Sequence, residues 1–126
     1  MLTFFENHPK FSWLITLIGA VLIFYISSLS FPPGAKAGTN FNAILYHILA
    51  FFLFALFLFV SILRGKKNYL IFFLAITLSI FYAISDELHQ FFVPGRSCAF
   101  SDVFLDFVGI SLASLVYLIR IKLKSN

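Results

Sequence analysis

Of the five acidic residues in this chain, four fall between positions 86 and 106: Asp86, Glu87, Asp102 and Asp106. His89, Gln90 and Arg96 lie in the same stretch. Carboxylates and imidazoles at close quarters can orient one another, move protons or hold a cation. The spacing supports such a convergence. Tyr82, Asp86, His89 and Gln90 follow an i, i+4, i+7, i+8 pattern and share one face of a helix. Asp102, Asp106 and Gly109 follow i, i+4, i+7 on another helix, with Asp106 about 6 Å deeper than Asp102. Glu87 sits about 100° round the helix from Asp86 and is expected to turn toward Arg96.

These types suggest roles. His89, or His47 from an earlier segment, would act as base or nucleophile, with Asp86 orienting it. Glu87, Gln90 and Arg96 would bind substrate, since the planar guanidinium suits a phosphate. Asp102 and Asp106 would hold a divalent cation of the Mg²⁺, Mn²⁺ or Ca²⁺ type. Four carboxylates outnumber Arg96 and two histidines. Some acids then carry protons, or the histidines are cationic, or a metal compensates. The spacing does not match a zinc signature. Plainer roles compete: Asp102 as a helix N-cap, His47 as an interhelical hydrogen bond, Arg96 snorkelling to lipid phosphate.

The elements that must position these groups are membrane spans. Of the 126 residues, 61% are hydrophobic, 20% aromatic and only 11% charged, against about 25% charged in soluble domains. The mean hydropathy is +1.00. That excludes a cytosolic enzyme, a nucleic-acid-binding domain and a disordered segment. A span needs roughly 20 apolar residues, and the chain reads as an all-α, four-helix transmembrane bundle in a single domain. The helices are expected at about residues 12–29, 43–63, 69–92 and 102–121. The runs lack the apolar–polar alternation of a barrel strand. Pro32, Pro33 and Gly34 break the chain after the first run, Gly65 marks the second turn and Pro94-Gly95 the third. Ala35-Lys36-Ala37 mimics a signal cleavage site, but the preceding run is long for a signal peptide, so an uncleaved helix is expected. Ser101 or Asp102 is the expected N-cap of the last helix. The 19 phenylalanines read as lipid-facing and packing bulk, and the lone Cys98 as incidental.

Basic residues set the orientation. Lys10, Arg64, Lys66, Lys67, Arg120, Lys122 and Lys124 fall on one side of a four-span topology, and Lys36 and Arg96 on the other. The positive-inside rule then puts both termini in the cytoplasm and the acidic cluster at the extracytoplasmic end. Ser27, Ser28, Ser30 and His47 belong to that same end. Ionisable groups at membrane depth usually face the bundle interior or a wet cavity.

The stretch from Tyr82 to Arg96, reading YAISDELHQFFVPGR, followed by Asp102, Asp106 and Gly109, resembles the VanZ-like family. Its signature is an acidic pair, His-Gln, Pro-Gly-Arg and then Asp-x-x-x-Asp-x-x-Gly. The family usually also shows Asp-Lys-x-x-His in its second helix. Ala43-Ile44-Leu45-Tyr46-His47 keeps only the histidine. The resemblance implies a multi-pass plasma-membrane protein of the cell envelope with a link to teicoplanin resistance. It also implies kinship with membrane enzymes proposed to exchange or hydrolyse lipid headgroups. The expected function is modification of a phosphate-linked lipid, a phospholipid or a polyprenyl carrier such as a lipid-linked cell-wall precursor, with no nucleic-acid partner. The alternative is a non-enzymatic protein that binds a lipid or partner and so affects glycopeptide sensitivity. A small exporter fits less well, because the first span contains no acid and the cluster lies near one face rather than at the midplane.

Overall fold

The structure is a computed structural model that describes residues 2–30, 41–96 and 99–124. The Pro32-Pro33 loop, the Ala35-Lys36-Ala37 tripeptide and Cys98 lie outside the described residues. The described chain is all helix: α1 (Leu2–Asn7), α2 (Pro9–Ser27), α3 (Phe41–Leu63), α4 (Tyr69–Phe91) and α5 (Phe100–Lys124). The last four are long and apolar enough to cross a membrane, so the protein is a multi-pass membrane protein associated with membrane lipids. α1 is an addition to the expected elements. It ends at His8, whose Nδ1 lies 2.8 Å from the Phe4 carbonyl. Pro9 then opens α2, where its fixed φ and missing N–H cost nothing.

α3 is the central helix and packs against each of the other four, most extensively against α5. It buries His47, Phe51, Phe54, Ala55, Phe59 and Val60 among others. By contrast, α2 leaves Leu14, Leu17, Val21, Phe24 and Tyr25 exposed. Such an apolar exterior suits hydrocarbon rather than water. α3 and α5 meet closely at Gly109, where a Cβ would strike the Ile48 carbonyl and the Phe52 nitrogen of α3. Only glycine permits that approach.

Two turns fix the ends. Between α3 and α4, Arg64 and Gly65 both have positive φ, 53° and 73°, and the Asn68 side chain caps α4 by accepting from the Ile71 N–H at 3.0 Å. After α4, the Arg96 N–H donates to the Val93 carbonyl at 3.1 Å. Pro94 and Gly95 (φ 80°) occupy the two central positions as a type II turn demands. α5 begins at Phe100, so Ser101 and Asp102 lie inside its first turn instead of capping it. There Asp102 still opposes the positive end of the helix dipole.

The two ends of the bundle differ in chemistry. At one end, buried Glu6 of α1 accepts from Arg120 Nη2 (3.2 Å) and Lys124 Nζ (3.1 Å) of α5. Nearby, the Gly65 N–H donates to the Tyr117 hydroxyl. This basic end joins α1, the α3–α4 turn and the last turns of α5. The other end gathers the acidic cluster.

Candidate functional site

At the acidic end, Ser27 of α2, His47 of α3, Asp86, Glu87 and Gln90 of α4, and Asp106 of α5 are all buried. Each comes from a helix that is apolar through most of its length, so burial of one face draws these polar residues inward together. Two linked groups result.

The first is built on α4. Asp86 Oδ2 accepts from Ser27 Oγ at 2.7 Å and from Gln90 Nε2 at 3.0 Å. The same Gln90 nitrogen donates to Glu87 Oε1 at 3.2 Å. The Gln90 carbonyl oxygen in turn accepts from Arg96 Nη1 at 3.1 Å. Gln90 therefore donates to two carboxylates and accepts from a cation, the polarity an amide can satisfy and a carboxylate cannot. The Arg96 guanidinium also donates from Nε to the Leu29 carbonyl at 3.0 Å and from Nη2 to the Ile26 carbonyl. It thus closes the C-terminal end of α2, where orphan carbonyls and the dipole both favour a cation. The Pro-Gly turn is what carries Arg96 back to that position.

The second group pairs α3 with α5. His47 Nδ1 lies 2.8 Å from Asp106 Oδ1, and His47 Nε2 lies 3.9 Å from Asp102 Oδ2. A neutral His47 that donates from Nδ1 to Asp106 leaves the Nε2 lone pair facing more carboxylate. Glu87 completes the set: His47, Glu87 and Asp106 each offer a ligand atom, and these atoms all lie within 4.8 Å of one another. Glu87 is therefore turned into the bundle toward His47 and Asp106, a direction the expected turn toward Arg96 did not include. Among the described residues, Asp86 Oδ1, Glu87 Oε2, Asp106 Oδ2 and the Tyr46 hydroxyl are buried without a hydrogen-bond partner. Buried polar atoms are nearly always satisfied. At the basic end, Glu6 Oε1 and Arg120 Nε are likewise buried without a partner among the described residues.

The two histidines are in different settings. His89 stacks on Phe24 at 4.6 Å and its Nε2 lies 2.9 Å from Ser28 Oγ. The Ser28 hydroxyl proton goes to the Phe24 carbonyl, so His89 Nε2–H is the donor in that pair. Among the described residues, the histidine hydrogen-bonded to an aspartate is His47 with Asp106. Asp86 bonds to Ser27 and Gln90. The residues singled out from the sequence thus meet at one end, but they are connected differently than spacing suggested. Asp102, half-buried, stands at the rim of the second group. Ser27 and Tyr46 are the additions. Ser27 was visible only as one of several serines ending a span, and Tyr46 only as the neighbour of His47.

A family model described as VanZ/LLP1 matches residues 3–121, a range that includes every residue of both groups. No curated protein and no solved structure matches the chain.

Proposed function

Because the chain belongs to the VanZ/LLP1 family and carries a buried acidic centre open to ligands, we propose that it acts on the phosphate-linked headgroup of a membrane lipid. The observation behind this reading is the His47–Glu87–Asp106 set, within 4.8 Å and with carboxylate oxygens that have no partner among the described residues. Oxygen-rich ligands with one imidazole suit Mg²⁺ or Mn²⁺. A cation there would take one atom each from His47, Glu87 and Asp106, in place of the hydrogen bond between His47 Nδ1 and Asp106 Oδ1. A cation held there would stabilise the charge that develops on phosphoryl oxygens.

The chain's own groups supply the rest. Asp86, held at Oδ2 by Ser27 and Gln90, keeps Oδ1 for a proton. An incoming hydroxyl or water oxygen forms a bond to phosphorus and gives its proton to that carboxylate. The bond to the departing headgroup oxygen breaks, and that oxygen takes the proton. Arg96 is a positioning residue here, holding the end of α2 and the Gln90 amide in place. His89 and Asp102 line the approach to the centre. The distribution of lysine and arginine supports cytoplasmic termini and an extracytoplasmic site, where envelope lipids are exposed.

Comparative lipid mass spectrometry tests this. Wild type and Asp106→Asn are expressed at matched levels and every phosphate-bearing lipid is profiled. A headgroup change made by wild type and lost in the variant is the expected result. Identical profiles would overturn the enzymatic reading and leave binding without turnover.

A further inference from the structure

A lateral groove runs between α2 and α3 and encloses about 540 Å³. Gly19, Leu22 and Ile26 of α2 and Tyr46, Leu49 and Leu53 of α3 are among its lining residues. The lining is apolar except for Asn42 and Tyr46, which lie toward the acidic end of α3. Gly19 keeps the groove open: a Cβ built there meets nothing within 4 Å.

We propose that this groove seats one hydrocarbon chain of the lipid whose headgroup enters the acidic centre. The inference rests on the headgroup reading above and adds the second half of the ligand. Groove and centre are continuous at two points. Ile26 lines the groove, and its carbonyl accepts from Arg96 Nη2. Tyr46 lines the groove and packs edge-on against the His47 ring at 5.5 Å. The Tyr46 hydroxyl is buried and has no hydrogen-bond partner among the described residues. It stands where a lipid passes from polar linkage to chain, and it can donate to the linkage oxygen.

Length agrees. The lining residues of α2 run from Ile15 to Ile26, a rise of about 16 Å. The hydrocarbon of one leaflet is about 15 Å deep, half of a core of about 30 Å. The groove therefore offers one chain a track across one leaflet. An acyl chain and a polyprenyl chain share this chemistry.

Photolabelling separates these outcomes. Purified full-length protein is reconstituted into vesicles carrying one of two probes, a phosphatidylglycerol with a diazirine in its acyl chain or a polyprenyl phosphate with a diazirine in its chain. Crosslinks are mapped by mass spectrometry. Labelling is expected to concentrate on Leu22, Leu49 and Leu53 over Leu115, which faces outward on α5. The better probe names the source of the chain. Gly19→Phe fills the groove and is expected to cut that labelling about tenfold, the effect of about 1.4 kcal/mol. Leu22→Trp serves as a second filling variant if Gly19→Phe is not monodisperse. Even labelling around the bundle by both probes, or labelling unchanged in the filled variants, overturns the proposal. Protein–protein crosslinks at Leu49 and Leu53 in place of lipid would assign the groove to a second copy and overturn it as well. Asp106→Asn keeps the two readings apart. Focused, Gly19-sensitive labelling with no headgroup change in any variant preserves the groove and removes the chemistry. A headgroup change lost in Asp106→Asn with even labelling does the reverse.

Discussion

Each ring nitrogen of His47 faces a carboxylate, with Asp106 Oδ1 2.8 Å from Nδ1 and Asp102 Oδ2 3.9 Å from Nε2. His89 faces a serine hydroxyl and an aromatic ring instead. The sequence alone left both histidines as candidates, because helical spacing places side chains on faces without saying which neighbouring helix receives them. Asp86 and His89 do lie one turn apart on α4, yet Phe24 and Ser28 of α2 draw the His89 ring to themselves. The two substitutions should therefore separate. His47→Gln removes a ligand of the proposed cation and is expected to reduce headgroup turnover by about 100-fold. His89→Gln should cost less than about tenfold, since it removes one hydrogen bond at a half-buried position. Initial rates of headgroup release from labelled lipid in proteoliposomes measure both. Equal losses would return the two histidines to equal standing.

At the scale of the helices, the site depends on how closely α3 and α5 approach. Gly109 lies three residues beyond Asp106, and the α3 backbone it touches, at Ile48, adjoins His47. Gly109→Ala sets a methyl group against backbone, which cannot rotate aside. Loss of about 1–3 kcal/mol of stability is expected, together with weaker cation binding as His47 and Asp106 separate. Gly19→Ala meets open space and should be neutral or stabilising by up to about 1 kcal/mol, the helix propensity difference. Thermal unfolding in detergent, run on both variants, measures the contrast, and equal melting temperatures would show that the close approach is not needed. The close approach itself was legible, because glycine on the face of two aspartates has few other uses in a span. The four spans were legible from apolar length. The short helix α1 was not. Six residues carry too little periodicity, and Glu6 is explained only by Arg120 and Lys124, far along the chain.

Across the whole molecule, charge and polarity divide between the two ends. At the basic end Glu6 Oε2 is shared by Arg120 and Lys124, while Glu6 Oε1 and Arg120 Nε have no hydrogen-bond partner among the described residues. At the acidic end three carboxylate oxygens have no partner among the described residues. The clustering of acids at that end could be read from spacing and topology, but their mutual distances and open valences could not, since those depend on the packing of four helices about α3. The proposed function requires a cation at the acidic end, held by His47, Glu87 and Asp106. A Mn²⁺ titration of the purified protein in lipid nanodiscs, followed by electron paramagnetic resonance, examines this at its root. Wild type should bind Mn²⁺ saturably with nitrogen coupling from His47, the coupling should vanish in His47→Gln, and affinity should fall in Glu87→Gln and Asp106→Asn. No saturable binding in wild type, or the same binding in all four proteins, would contradict a cation centre at His47, Glu87 and Asp106.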